Sequence, residues 1–122
     1  MGTPPAPWLS WAVATAAAKA TGITIHSGAL IGHRLFIDHG SEVVIGQTSV
    51  IGDDVTIYQG ASLVGDGSPG RRHAFVGNGT LIGPGAKVIG PVALGAGAKI
   101  GAGAVVNHDV EADTTVVGIN EE

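Results

Sequence analysis

The chain has 122 residues, a formal net charge of −4 and 13 % charged residues. That length suits one domain, and that charge excludes a nucleic-acid binder, which needs a basic surface. With no cysteine, disulfides, thiolate metal sites and a Cys nucleophile are all excluded, and a reducing cytoplasmic compartment is expected.

The first 22 residues form a segment of their own. "WLSWAVATAAAKATG", Trp8 to Gly22, is apolar and Ala-rich but too short to span a bilayer. It has no positively charged start, as a signal peptide would. The spacing predicts a short helix that begins after Pro4-Pro5-Ala6-Pro7 and stops at Gly22. Trp8 and Trp11 would share one face of it.

From residue 23 to 120 the pattern changes to a step of six. Ile25, Ile31 and Ile37 lead, followed by Ile45, Ile51, Ile57 and Leu63, then by Val76, Ile82, Val88, Leu94, Ile100 and Val106. All thirteen positions are Ile, Leu or Val, types that fill only about a quarter of the chain, so the register is not chance. Seven of them are followed at once by glycine. Four residues on, the side chain is usually small, as at Ala29, Ser49, Ala61, Thr80, Ala86, Ala98 and Ala104. A step of six fits neither a helix at 3.6 nor a freely alternating strand at 2. It fits a coil that turns a corner every six residues, with the aliphatic side chain inward. Glycine after each is expected to relieve the backbone at the corner. Three sides close a triangle, and successive coils stack as parallel strands. The reading is an all-β parallel β-helix of four to five coils. A sandwich would show alternation and turn signals every 8–12 residues instead.

The register breaks twice. From Ile37 to Ile45 the step is eight, and from Leu63 to Val76 it is thirteen. Insertions in a solenoid are where function collects, because the scaffold holds them. The first break carries Asp38-His39, and the second carries Asp66, Arg71, Arg72 and His73 within "VGDGSPGRRHAF". His26, His33 and His108 lie in regular turns and read as solvated side chains. Asp53-Asp54 reads as an exposed turn.

The motifs "FIDHGSEVVIGQTSVIGDDVTIYQGASL", "GRRH", "IGPGAKVIG", "LGAGAKIGAGAVV" and "TTVVGIN" together resemble the catalytic domain of serine O-acetyltransferases. The resemblance covers roughly Gly22 to Asn120. It implies a left-handed coil and makes residues 23–120 an acyltransferase domain after the 1–22 segment. The implied reaction moves an acetyl group from acetyl-CoA, as co-substrate, to the hydroxyl of serine, a step of cysteine biosynthesis. By resemblance His39 is the general base and Asp38 contacts the acceptor's ammonium. Arg72 meets the acceptor carboxylate, and His73 is the second active-site histidine. Gly65, Pro84, Lys99 and Ala102 match positions near the cofactor. The resemblance also implies a homotrimer, in which the Asp-His turn of one copy faces the Arg-His loop of the next. No metal or membrane is implied.

The residue types suit that chemistry. A serine hydroxyl is a poor nucleophile until a base takes its proton, and histidine is matched to that task near neutral pH. Backbone N–H groups of a Gly-rich loop can hold the tetrahedral oxyanion. A planar guanidinium suits a carboxylate.

This sequence departs from the family in four ways. Thr24 stands where an Asp usually orients the base, leaving Thr24 itself, Glu42 or a backbone carbonyl as substitutes. The Gly-rich loop is one residue shorter, with Val64 and Ser68 at altered positions. The large N-terminal helical domain is reduced to the Trp8–Ala20 segment. The longer tail that docks into the sulfhydrylase partner is missing, so that complex is not expected. An acyltransferase for another small amine or alcohol is therefore the alternative reading. A γ-type carbonic anhydrase would need two histidines five apart on one segment. The histidines at 26, 33, 39, 73 and 108 offer no such pair.

Overall fold

The computed structural model describes residues 23–38, 42–67, 69–70 and 72–120. The expected N-terminal helix therefore lies outside the described residues. The rest is a left-handed parallel β-helix. Its first coil runs through β1 (Thr24–Ile25), β2 (Leu30–Ile31) and β3 (Phe36–Ile37), its second through β4 (Val44–Ile45), β5 (Val50–Ile51) and β6 (Thr56–Ile57). The third comprises β7 (Ser62–Val64), β8 (Phe75–Val76) and β9 (Leu81–Ile82), the fourth β10 (Lys87–Ile89), β11 (Ala93–Leu94) and β12 (Lys99–Ile100). β13 (Val105–Val106), β14 (Thr115–Val116) and β15 (Ile119–Asn120) close the stack.

Each side of the triangle is one parallel sheet. The first sheet runs β1-β4-β7-β10-β13-β15, the second β2-β5-β8-β11, and the third β3-β6-β9-β12-β14. The aliphatic register makes the columns: Ile45 pairs with both Ile25 and Leu63, and Ile57 pairs with both Ile37 and Ile82. Ile82, Val88, Ile100 and Val106 are fully buried. The small residues at Ala29, Ala61, Thr80, Ala86, Ala98 and Ala104 are equally buried, filling the corners of the triangle. The sequence register stopped at Val106, but the coil continues. After a step shortened to four, Val110 bridges to Leu94 and Val116 pairs with Ile100.

The glycines that follow the aliphatic residues correct one expectation. They do not adopt left-handed dihedrals; those fall two residues later, at Gly79, Gly85, Gly97 and Gly103, and on Arg34 and Asp54. Gly77 and Gly83 are required by stacking instead. A Cβ on Gly77 would stand 2.6 Å from Ala96 N, and one on Gly83 would stand 2.8 Å from Ala102 N. The next coil's backbone passes too close for any side chain.

Among the described residues no helix is long and apolar enough to cross a membrane. A groove of about 600 Å³ runs along the outer face of the second sheet, past Leu30, Val50, Phe75 and Ala93. Its lining is apolar apart from Asp53 and Asn78, so it offers little for acid–base chemistry.

Candidate functional site

The two register breaks fall on different corners of the triangle. Asp38 follows β3, where the chain turns from the third sheet to the first, and its N–H donates to the Ile57 carbonyl at 3.0 Å. Asp38 is half-buried there. His39 lies outside the described residues. Pro84 and Ala102 occupy the same corner two and three coils further on, and Lys99 projects from the adjoining face at β12, paired with Leu81 and Thr115. The Arg72-His73 pair belongs to the next corner, between β7 and β8, where the chain turns from the first sheet to the second. Gly65 is on this corner too. Within one chain the predicted residues are thus split into an Asp38 group and an Arg72 group.

The Arg72 corner is built around a residue that the sequence reading passed over, Thr48. It sits on the turn between β4 and β5. Its hydroxyl accepts from the backbone N–H of Arg72 at 3.0 Å and from that of His73 at 2.9 Å. The same hydroxyl lies 2.8 Å from His73 Nδ1, and the Thr48 N–H donates to that nitrogen at 3.1 Å. One short side chain therefore pins the end of the 64–72 loop to the coil below.

This pinning fixes the imidazole's protonation. Nδ1 receives a backbone N–H, so it carries no proton; the ring proton sits on Nε2. Burial lowers the affinity of His73 for a second proton, and the neighbouring Arg72 guanidinium and then His26 lower it further, while Asp66 acts in the opposite sense. The ring is buried, with the residue only 7 % exposed. His73 is thus held as a neutral imidazole that can donate from Nε2 but is hindered from taking a proton at Nδ1. Glycine makes room for it. A Cβ at Gly46 would run into His73 Cδ2 and Nε2. A Cβ at Gly65 would stand 3.2 Å from His73 Nε2 and 3.2 Å from Arg72 Cγ and Cδ.

Arg72 is oriented by neutral acceptors. Nη2 donates to Gln47 Oε1 at 2.8 Å and Nη1 to the Gly70 carbonyl at 3.3 Å. Gln47, like Thr48, was missed in the sequence because its turn keeps the regular step. The only available signal was its place on the same corner one coil before the long insertion.

The histidines read as solvated are exposed or half-exposed, but they are not idle. His26 Nδ1 accepts from the Gly28 N–H at 3.1 Å, bracing its own turn. His33 Nδ1 is 3.2 Å from Asp53 Oδ1, which also accepts the His33 N–H at 2.7 Å. Asp53 N–H in turn donates to Asn78 Oδ1 at 2.7 Å. Arg34 and Asp54 pair through two contacts of 2.6 and 3.0 Å. His33, Arg34, Asp53, Asp54 and Asn78 form a ladder on the third corner, between the second and third sheets, which stitches coil to coil. Thr24 is exposed on β1, and Glu42 is exposed in a left-handed turn. Among the described residues no cluster of three His, Cys, Asp or Glu side chains could hold a metal ion.

A parallel β-helix with function-bearing insertions is the architecture of the hexapeptide-repeat transferases, and residues 73–108 match the bacterial transferase hexapeptide family of six repeats. The chain is 57 % identical over 100 residues to the serine acetyltransferase of Bacillus licheniformis, which covers 81 % of this chain and 46 % of that protein. It superimposes on soybean serine acetyltransferase complexed with serine at 42 % identity and a TM-score of 0.81, over 90 % of this chain and 46 % of that one. A serine acetyltransferase in complex with CoA matches at 40 % identity and a TM-score of 0.79, over 91 % of this chain and 46 % of that one. Through its β-helix the chain belongs to the serine acetyltransferase family. It spans about half the length of the curated relatives it matches.

Proposed function

We propose that the chain is a CoA-dependent O-acetyltransferase whose acceptor is serine or a closely similar hydroxy-amino acid. The observation that carries this reading is the Arg72-His73 corner. There a cation and a neutral N–H donor are held side by side by Thr48 and Gln47. Such a pair suits the carboxylate of an amino acid, and relatives of known structure are complexed with serine and with CoA.

In this reading His39 removes the proton from the acceptor hydroxyl as the oxygen attacks the thioester carbonyl. The C–O bond forms, the tetrahedral intermediate collapses, and the C–S bond breaks to release CoA as the thiol. The proton held by His39 passes to the departing sulfur. Asp38 receives the acceptor's ammonium, and Arg72 its carboxylate. His73 cannot act as a base through Nδ1, so its contribution is the Nε2–H, donated to acceptor or oxyanion. Pro84, Lys99 and Ala102 line the path of the cofactor, with Gly65 across from them.

Because Asp38 and Arg72 occupy different corners of one prism, a complete site takes the Asp38 corner of one copy and the Arg72 corner of another. A closed ring of three copies satisfies that head-to-tail requirement for each protomer. Residues 23–120 are the acyltransferase domain and residues 1–22 a segment apart. A cytoplasmic setting fits the absence of cysteine.

The test is thiol release from acetyl-CoA in the presence of L-serine, homoserine, threonine and ethanolamine. The reading expects serine to be preferred over ethanolamine, which lacks the carboxylate. Preference for a neutral alcohol or amine would favour the alternative acceptor class, to which Thr24 on the exposed face of β1 already leaves room.

A further inference from the structure

We infer that Glu42 is the carboxylate that orients His39 and stabilises the imidazolium formed there during acetyl transfer. This rests on the reading above, in which His39 takes the proton of the acceptor hydroxyl. The observation is a break in the fold's own repeat. On the corner between the third and first sheets, successive turns place Glu42, Gly60, Gly85 and Gly103 in register, each two residues before a member of the paired column Val44, Ser62, Lys87 and Val105. All four have left-handed backbones, with φ of 61°, 74°, 71° and 69°. Three are glycine, the residue that takes this conformation without steric cost. The fourth is a glutamate, and it stands in the one turn that carries Asp38-His39.

A long side chain in a left-handed turn costs stability, and such strain collects where function requires a particular group. The packing around the turn does not call for glutamate. Glu42 is exposed, and it makes no hydrogen bond or ion pair with any described residue. The left-handed Arg34 and Asp54 on the third corner differ, since they pair with each other. Val43, the next residue, is fully buried like Ala61, Ala86 and Ala104 at the same place in later coils. Glycine at position 42 would therefore serve the coil as well as it does at 60, 85 and 103. What glutamate adds is a negative charge on the reacting corner.

A histidine base has use for that charge. On receiving a hydroxyl proton it becomes a cation, and a carboxylate at its other ring nitrogen fixes the tautomer and stabilises the cation. Glu42 follows His39 by three residues in the same turn. Thr24 adjoins this turn from the first coil, its N–H donating to the Val43 carbonyl at 2.8 Å, but a hydroxyl carries no charge. Asp38 and Tyr58 are the other titratable side chains of the described turns on this corner. Asp38 is committed to the acceptor's ammonium in the reading above, and the Arg72-His73 corner approaches from another copy. Glu42 is a positioning residue in this account: it acts on the acceptor only through His39.

The test compares Glu42→Gln, Glu42→Gly and Glu42→Asp with wild type in thiol release from acetyl-CoA with L-serine, alongside melting temperature. Glu42→Gly restores the corner's usual residue, so its Tm is expected to equal or exceed that of wild type. Its kcat is nevertheless expected to fall about ten-fold or more, as is that of Glu42→Gln, with KM for both substrates within about two-fold of wild type. Loss of the negative charge disfavours the imidazolium, so the acid limb of the kcat/KM profile moves to lower pH in both variants. Glu42→Asp keeps the charge, retains more of kcat and leaves that limb near its wild-type place. A merely structural Glu42 would instead give kcat that tracks Tm and an unshifted pH profile, and that result overturns the inference. So does wild-type kcat in Glu42→Gly and Glu42→Gln while wild type acetylates serine and His39→Ala does not, which leaves the acetyltransferase reading intact. If wild type releases no CoA with serine and binds no acetyl-CoA in calorimetry, the acetyltransferase reading itself falls and the inference with it.

Discussion

Gly46→Ala adds a single methyl group, and its consequence can be worked from the corner it faces. Gly46 lies outside the left-handed region, so alanine suits its backbone, and stiffening the unfolded chain is worth up to about 1 kcal/mol in favour of folding. Against that, the new Cβ overlaps His73 Cδ2 and Nε2, and the ring must leave. It gives up the 3.1 Å bond from Thr48 N and the 2.8 Å contact with Thr48 Oγ1, each worth about 1 kcal/mol net. It also gives up most of its burial, another ~1 kcal/mol. The net loss is about 2 kcal/mol, with the coil otherwise intact. Urea denaturation reads the stability, and thiol release from acetyl-CoA reads the rate, which should fall about a hundred-fold or more. Gly65→Ala, whose Cβ would meet the same ring at 3.2 Å, should be milder on both counts, because a few tenths of an ångström of movement relieves it. A Gly46→Ala protein with wild-type rate and urea midpoint would refute the placement of His73 over this glycine.

Three further outcomes are expected. Thr48→Val leaves two backbone N–H groups, of Arg72 and His73, without their acceptor; it should cost about 2–4 kcal/mol in denaturant and most of the turnover, while Thr48→Ser restores both. Ile82→Ala, in a fully buried column position, should cost about 2–5 kcal/mol but leave KM for both substrates unchanged at temperatures where the protein is folded. His73 binds a proton less readily folded than unfolded, since burial and Arg72 disfavour the cation. The unfolded chain therefore takes up the extra proton first. The neutral ring's share of stability is complete above its ordinary value of about 6.5 and is lost as pH falls below it. Across that window the melting temperature of wild type should fall toward acid more steeply than that of His73→Gln, and parallel pH dependences would contradict it.

The coil was legible because a solenoid repeats its demand. Ile45, Leu63 and Val88 face the same environment in successive turns, so one rule about inward aliphatic side chains appears many times over. The reason for the glycines was not legible. A post-aliphatic glycine at a corner suggests a left-handed turn, whereas Gly77 and Gly83 answer to the backbone of the next coil, three strands further along the chain. The aliphatic register of the last coil escaped for a related reason: the step from Val106 to Val110 is short, and a register search tuned to six passes over it. In the site, Asp38, Arg72 and His73 stood out as titratable or charged residue types at irregular steps. Gln47 and Thr48 did not, since a small polar residue in a regular turn is what every exposed corner of this fold carries. Only the return of the long loop onto that turn singles them out.

The central claim is that two corners, taken from two copies of the chain, make one site. Complementation tests it most directly. His39→Ala removes the base from one corner and His73→Gln disables the other, so each protein alone should be inactive in thiol release. Unfolded together in equal amounts and reassembled, they form mixed rings in which about a quarter of the junctions pair an intact His39 corner with an intact Arg72-His73 corner. The account predicts that the mixture recovers activity approaching that fraction of wild type. Mixed assemblies, verified by mass to contain both chains, that remain as inactive as either parent would contradict it.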